Sequence, residues 1–352
     1  MSLLEDRYRN VLRLLPASYR AGREEEMVGA FLEGSSGLSD ADNPRPRWSE
    51  IASVAALSLR VRLGGAGAAP RFIAWGRAVR LVAVLGLLFH ATVSCAWLLY
   101  AVLDSWSTGR PVVGGEIWSA EWVSQAAWTI GHLLWIAVFV TLARGRPRAA
   151  KVLALLALAS FYAPLLQGGP GTGDAVVHGL LFAVPALALV AGFHRDAPPP
   201  RLPRWAAALP VVTGVPLYVI TSALGSLGMS ESVDWRLWSW VWPWLSNSGT
   251  ACLAFLVASA ICLGRRPRVP GGRDPSPPLA LAILSVPVTL AHVAYLTIDT
   301  VDPATRTMAA VSLGQLVAVL LCGLALTRVS VRALPAPPCP PCPKRPRRPR
   351  ST

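Results

Sequence analysis

Charge is scarce in this chain. Of 352 residues only 19 are Asp or Glu and 15% carry a charge of either sign, against 53% apolar residues and a mean hydropathy of +0.46. A soluble multidomain protein of this length needs a far more polar surface, so a polytopic membrane protein is expected instead. Cys339 and Cys342 form a lone CPPC that, without a second pair or a neighbouring His, is weak evidence for zinc or a redox switch and does not match c-type haem attachment. Cys95, Cys252, Cys262 and Cys322 fall in apolar runs and read as small packing residues. The chain has no P-loop, no G-x-G-x-x-G after a strand, no G-x-S-x-G and no H-E-x-x-H, so no motif argues for an enzyme. No long apolar run lies within the first 60 residues, and no signal peptide is expected there.

What is present is a series of apolar runs of the length a helix needs to cross about 30 Å of hydrocarbon. They predict eight transmembrane helices at residues 79–103, 122–143, 152–167, 175–193, 206–225, 248–264, 279–298 and 307–327, in an all-α fold. Basic residues set the orientation, because cytoplasmic loops retain Lys and Arg. With the amino terminus inside, only Arg110, Arg236 and Arg306 fall outside, and the other 30 of 33 basic residues lie within. The expectation is a multi-pass protein of the cell (inner or plasma) membrane with both termini cytoplasmic. The net charge of +14 then reports topology, and no nucleic-acid partner is expected.

The outer connection between the fifth and sixth runs holds Trp235, Trp238, Trp240, Trp242 and Trp244. Indoles belong at headgroup level, where ring and N–H are both accommodated, so an interfacial aromatic belt is expected, with an aromatic pocket for a cationic or sugar-like ligand as its rival. Trp235, Trp238 and Trp242 recur at near-helical spacing, which predicts a short helix lying in the interface until Pro243 turns the chain, with Ser246 or Ser248 capping the next span. The first outer connection is also long and carries Trp106, Trp118 and Trp122. Each of these connections leads into a span that ends in a basic turn, LARGRPR or LGRRPR, and the spans that follow carry Pro164 and Pro287. The pattern predicts two parallel four-helix repeats, 78–194 and 205–328, joined by a cytoplasmic linker at 195–204.

Ahead of the spans, residues 1–77 read as a cytoplasmic region of short helices. Leu4, Tyr8, Val11, Leu12 and Leu15 make one apolar face ending at Pro16. A second helix is expected to bury Tyr19, Met27, Ala30 and Phe31, and Ser49 to cap a third. The acidic run Glu24, Glu25, Glu26 is a candidate contact for a cytoplasmic protein partner. Arg60, Arg62, Arg71, Arg77 and Arg80 approach the membrane with no acidic residue among them and are expected to lie on anionic lipid. The tail, 329–352, is proline-rich and predicted to be disordered, with Lys344, Arg345, Arg347, Arg348 and Arg350 drawn to the same headgroups. The segments RYRNVLRLLPASYR, REEEMVGAFLEG and RWSEIASVAALSLRVRLGG together resemble a group of actinobacterial polytopic integral membrane proteins with a short helical amino-terminal region. That group has no established activity, so the resemblance implies a class and no mechanism.

Chemistry is sought among polar groups inside the spans, where burial is costly. His90, His132 and His292 fall near the middle of their runs and form the candidate intramembrane polar site; His178 lies nearer the outer face. Eight spans in two halves are similar to the haem A synthase architecture, in which both halves supply matched histidines. This chain departs from it, with three span histidines in the first half and one in the second, so interhelical hydrogen bonds are the plainer role for them and for Gln125, Gln167 and Gln315. No cofactor or metal is expected. The functional expectation is a membrane-embedded sensor or partner protein; a small-solute or ion transporter with its site between the halves is the alternative, and a haem or quinone redox protein the third.

Overall fold

The computed structural model describes residues 3–34, 45–162, 172–198, 202–228, 235–265, 274–293 and 302–335. Pro164, Gln167 and Asp299 lie outside the described residues, as do Cys339, Cys342 and the basic tail, and the side chains of Asp174, His178 and Trp235 are likewise not described. Helices dominate, and no strand occurs among the described residues. The chain divides into two compact units, a first holding Met1–Trp75 and a second spanning Gly76–Ala333.

The first unit has its own core. Helices α1 (Leu3–Leu12), α2 (Ala17–Gly34) and α3 (Trp48–Arg62) enclose Tyr8, Leu12, Leu15, Tyr19, Val28, Val54 and Val61. α1 tightens through Arg13, Leu14 and Leu15 amides donating three residues back. Pro16 then opens α2 by accepting from the Tyr19 and Arg20 amides. Two expectations are corrected here. Val28 occupies the buried position and Ala30 is exposed, because the helical face turned toward α1 passes through Tyr19 and Val28. Arg47, not Ser49, is the N-cap of α3, and the Glu50 carboxylate accepts from the Arg47 amide at 2.7 Å. At the other end of α3, Gly64 at φ +82° accepts a left-handed turn, letting the Gly65 amide donate to the Arg60 carbonyl at 2.8 Å and the Gly64 amide to that of Val61.

The acidic run of α2 is partly engaged within this unit. Arg9 reaches Glu25 at 2.9 Å and Glu5 at 3.1 Å, with Glu24 3.7 Å away. The guanidinium holds the Glu25 carboxyl below the usual carboxylate range.

The second unit is built from α4 (Pro70–Thr108) from Gly76 onward, α5 (Ala120–Ala143), α6 (Pro147–Tyr162), α7 (Thr172–Gly192), a 3-10 turn (Arg204–Ala208) running into α8 (Leu209–Gly228), α9 (Trp235–Leu245), α10 (Asn247–Gly264), α11 (Ser276–Val293) and α12 (Pro303–Ala333). Among the described residues six of these helices are long and apolar enough to cross a membrane: α4, α5, the stretch Arg204–Ser226, α10, α11 and α12. α6 is shorter, and the described apolar part of α7 is Gly179–Gly192. This is the architecture of a multi-pass helical membrane protein. Its outward faces are apolar, as at Leu155, Leu187, Val212, Leu321 and Leu324, each more than half exposed. In water such a surface would aggregate; in a bilayer it meets acyl chains.

Inside, small residues let helices approach closely, as expected where lipid competes for apolar contact. Gly86 of α4 lies against Pro185 of α7, and Gly214 of α8 against Thr92 and Cys95 of α4. Thr92 and Thr213 hydroxyls bond at 2.7 Å across the same α4–α8 contact. A separate core of Cys252, Phe255, Leu281, Val288, Val319 and Leu326 joins α10, α11 and α12, with Leu181 of α7 packed against it. The two basic turns differ in detail. Gly145 closes α5 at φ +73°, whereas α10 ends at an extended Arg265 and residues 266–273 lie outside the described residues.

Candidate functional site: a cavity with an aromatic floor

α4 and α5 carry polar and aromatic side chains at helical spacing. On α4 these are His90, Ser94, Trp97 and Asp104; on α5 they are Gln125, Trp128 and His132. The two stripes line one cavity of about 1770 Å³ within the second unit. α7 adds Leu181 and Phe182, α8 adds Tyr218, Thr221 and Ser222, and α9 adds Trp238 and Trp242. The mouth is marked by residues that are themselves exposed, among them Asp104, Trp106, Ser226 and Asn247.

At the other end lies an aromatic network. His90 stacks on Phe182 at 4.4 Å, Phe182 packs on Phe161 at 4.4 Å, and Phe161 on Trp128 at 5.3 Å. His132 stacks on Trp97 at 4.4 Å and meets the edge of Trp128 at 5.3 Å. The two histidines do different work. Pro185 has no N–H, which leaves the Leu181 carbonyl without its helical donor. His90 Nε2 bonds that carbonyl at 2.7 Å, and since a carbonyl only accepts, Nε2 carries the proton. His90 therefore repairs a proline break and ties α4 to α7. His132 Nδ1 shares a 3.0 Å bond with the Ser94 hydroxyl, while its buried Nε2 has no hydrogen-bond partner among the described residues.

His292 is placed elsewhere. It is buried, its Nδ1 donates to the Val288 carbonyl of its own helix at 2.8 Å, and it does not line the cavity. The structure thus brings together His90 and His132 of the three span histidines. Gln315 donates over 3.5 Å to the Pro243 carbonyl, tying α12 to α9, whereas Gln125 accepts from the Gly114 amide at 2.8 Å and braces the connection between α4 and α5. Among the described residues no three His, Cys, Asp or Glu side chains are placed to hold a metal ion.

The tryptophan segment forms α9, with Pro243 inside its last turn, and Ser246 caps α10 by accepting from the Gly249 amide at 3.1 Å. Its indoles separate by face. Trp240 and Trp242 are at least half exposed, Trp244 packs on the α10–α12 core, and Trp238 is buried within 6.0 Å of Trp242. The cavity residues Trp97, Trp128, Thr129, Tyr218 and Thr221 did not stand out in the sequence. The signal that finds them is the helical recurrence of aromatic and hydroxyl side chains inside otherwise aliphatic spans.

Fold and cavity define a multi-pass helical membrane protein that carries an aromatic, hydroxyl-lined cavity among its helices. Compared with known protein families, curated proteins and solved structures, the chain matches none.

Proposed function

We propose that this protein is a membrane-embedded sensor: a ligand enters the cavity from outside, and the amino-terminal helices report it to a cytoplasmic partner. The observation that carries the reading is α4. One uninterrupted helix of 39 residues, about 58 Å long, begins at Pro70 in the first unit and supplies His90, Ser94, Trp97 and Asp104 to the cavity. Its length exceeds the roughly 30 Å a membrane core requires. The proposal includes eight spans in two parallel four-helix halves, both termini in the cytoplasm of the cell membrane, and a belt formed by the outward indoles of α9. α6 and α7, at 16 and 21 residues, supply the third and fourth crossings. The basic residues before α4 and in the tail rest on anionic lipid.

A transporter working between the two halves is the second reading, favoured by the cavity walls, to which α4, α5 and α7 contribute from one half and α8 and α10 from the other. Filling the cavity covalently separates the two. In a variant with its six cysteines replaced, Ser222→Cys modified with N-ethylmaleimide places a covalent adduct inside the chamber. A sensor is expected to change hydrogen-exchange protection in residues 3–34 and 48–62 of the full-length protein. Unchanged protection there with altered solute flux would favour the transporter.

A further inference from the structure

The chemistry of the cavity wall selects a ligand class. Asp104 is the one side chain with a formal charge among the described lining residues; no Lys or Arg is present there, although the chain as a whole carries 33. An anion would enter a chamber with no cationic group to receive it and a carboxylate at its mouth. A cation meets the reverse. Trp106 and Trp242 are exposed lining residues of the same cavity, and indole faces attract organic cations. Deeper in, Trp97, Trp128, Phe161 and Phe182 offer flat apolar walls. At that level the His132 ring is held between Trp97 and Trp128, its Nε2 buried and without a hydrogen-bond partner among the described residues. Asp104 and Ser94, the hydrogen-bond partner of His132, are ten residues apart on α4, about 15 Å along its axis.

We infer that the cavity binds a lipophilic organic cation, an ammonium or similar onium group on an apolar or aromatic body, with the charge held at the mouth by Asp104, Trp106 and Trp242 and the body among the deeper rings. The inference rests on the reading that the cavity is a ligand site, and its test separates the two. The probes are tetraphenylphosphonium and tetraphenylborate, matched in shape and opposite in charge, each at equilibrium across dialysis with the full-length protein in phosphatidylcholine nanodiscs and with empty nanodiscs.

Saturable tetraphenylphosphonium binding above the empty discs is expected, with none for tetraphenylborate. Asp104→Asn should weaken it about two- to fivefold, as for an exposed ion pair, and Trp242→Ala about three- to tenfold. Thr221→Trp, which sets an indole into the chamber wall, should weaken it strongly while the protein still elutes as a folded particle. If tetraphenylborate binds as well or better and Thr221→Trp removes it, the cavity is a ligand site and the cation class is wrong. If neither probe saturates, or tetraphenylphosphonium binds regardless of all three substitutions, the inference is overturned and the ligand-site reading loses its support.

Discussion

Gly249→Ala is expected to leave little folded protein. Between α9 and α10 the chain reverses within a residue or two. Ser246 accepts from the Gly249 amide, and the Pro243 carbonyl receives both the Ser246 hydroxyl, at 2.9 Å, and the Gln315 amide. A Cβ at Gly249 would collide with that carbonyl and lie 2.8 Å from the Trp244 Cα. These are backbone atoms, which cannot rotate aside as a side chain can. Relief would require opening the turn, and with it the Gln315 contact and the seating of Trp238 and Trp244. Overpacking against side chains typically costs about 1–3 kcal/mol, and a clash with backbone should reach at least the top of that range. The measurement is yield and thermal midpoint of detergent-solubilised protein, followed by size exclusion and tryptophan fluorescence. Gly314→Ala is the control. Nothing lies within 4 Å of a Cβ there, and alanine is the better helix former, so it should be neutral or mildly stabilising. Wild-type behaviour of Gly249→Ala would mean that the turn is built differently.

Leu12→Ala is expected to unfold the amino-terminal unit and spare the membrane domain. Leu12 is fully buried where α1 meets α2 and α3, one of seven described buried residues that make up this core cluster. Truncating a fully buried leucine costs about 2–5 kcal/mol. A unit of this size has only a few kcal/mol to lose. Hydrogen bonds that cross the unit depend on the same packing, notably the Ser58 hydroxyl donating to the Leu14 carbonyl at 2.6 Å. Limited trypsin digestion of the full-length protein should therefore cleave within residues 3–62 far faster in the variant, while fragments from the second unit keep their wild-type pattern. Equal protection in both proteins would contradict an independently packed core.

Much of this architecture is legible in the sequence because its cause is local. Apolar runs interrupted by prolines, glycines and basic turns mark helices, and six of the described helices are long and apolar enough to cross a membrane. Trp235 to Trp244 at helical spacing marks α9, and Ser246 marks the start of α10. Errors fall where a neighbouring element decides the outcome. Ala30 and Val28 both suit an apolar face, and the packing against α1 buries Val28. Ser49 is a better N-cap by type than Arg47, yet Glu50, reaching back to the Arg47 amide, moves the start by two residues. The cavity was hidden for a related reason. His90, His132 and His292 look alike as single polar residues in apolar runs. Their differences arise from the proline-freed carbonyl on α7, the Ser94 hydroxyl on α4 and the packed core around α11, none of which is adjacent in sequence.

The central claim, an outward-facing chamber inside the membrane domain, is tested most directly by thiol accessibility. With the six native cysteines replaced, single cysteines are placed at Ser222 in the cavity, at Ser107 near its mouth, and at Val212 and Leu321 on outward apolar faces. A membrane-impermeant, positively charged thiosulfonate reagent is then applied to intact cells. The account predicts labelling at Ser107 and at Ser222, and none at Val212 or Leu321, which face acyl chains where no thiolate forms. Labelling of Ser222 only in inverted vesicles, or silence at Ser222 equal to that at Val212, would contradict it.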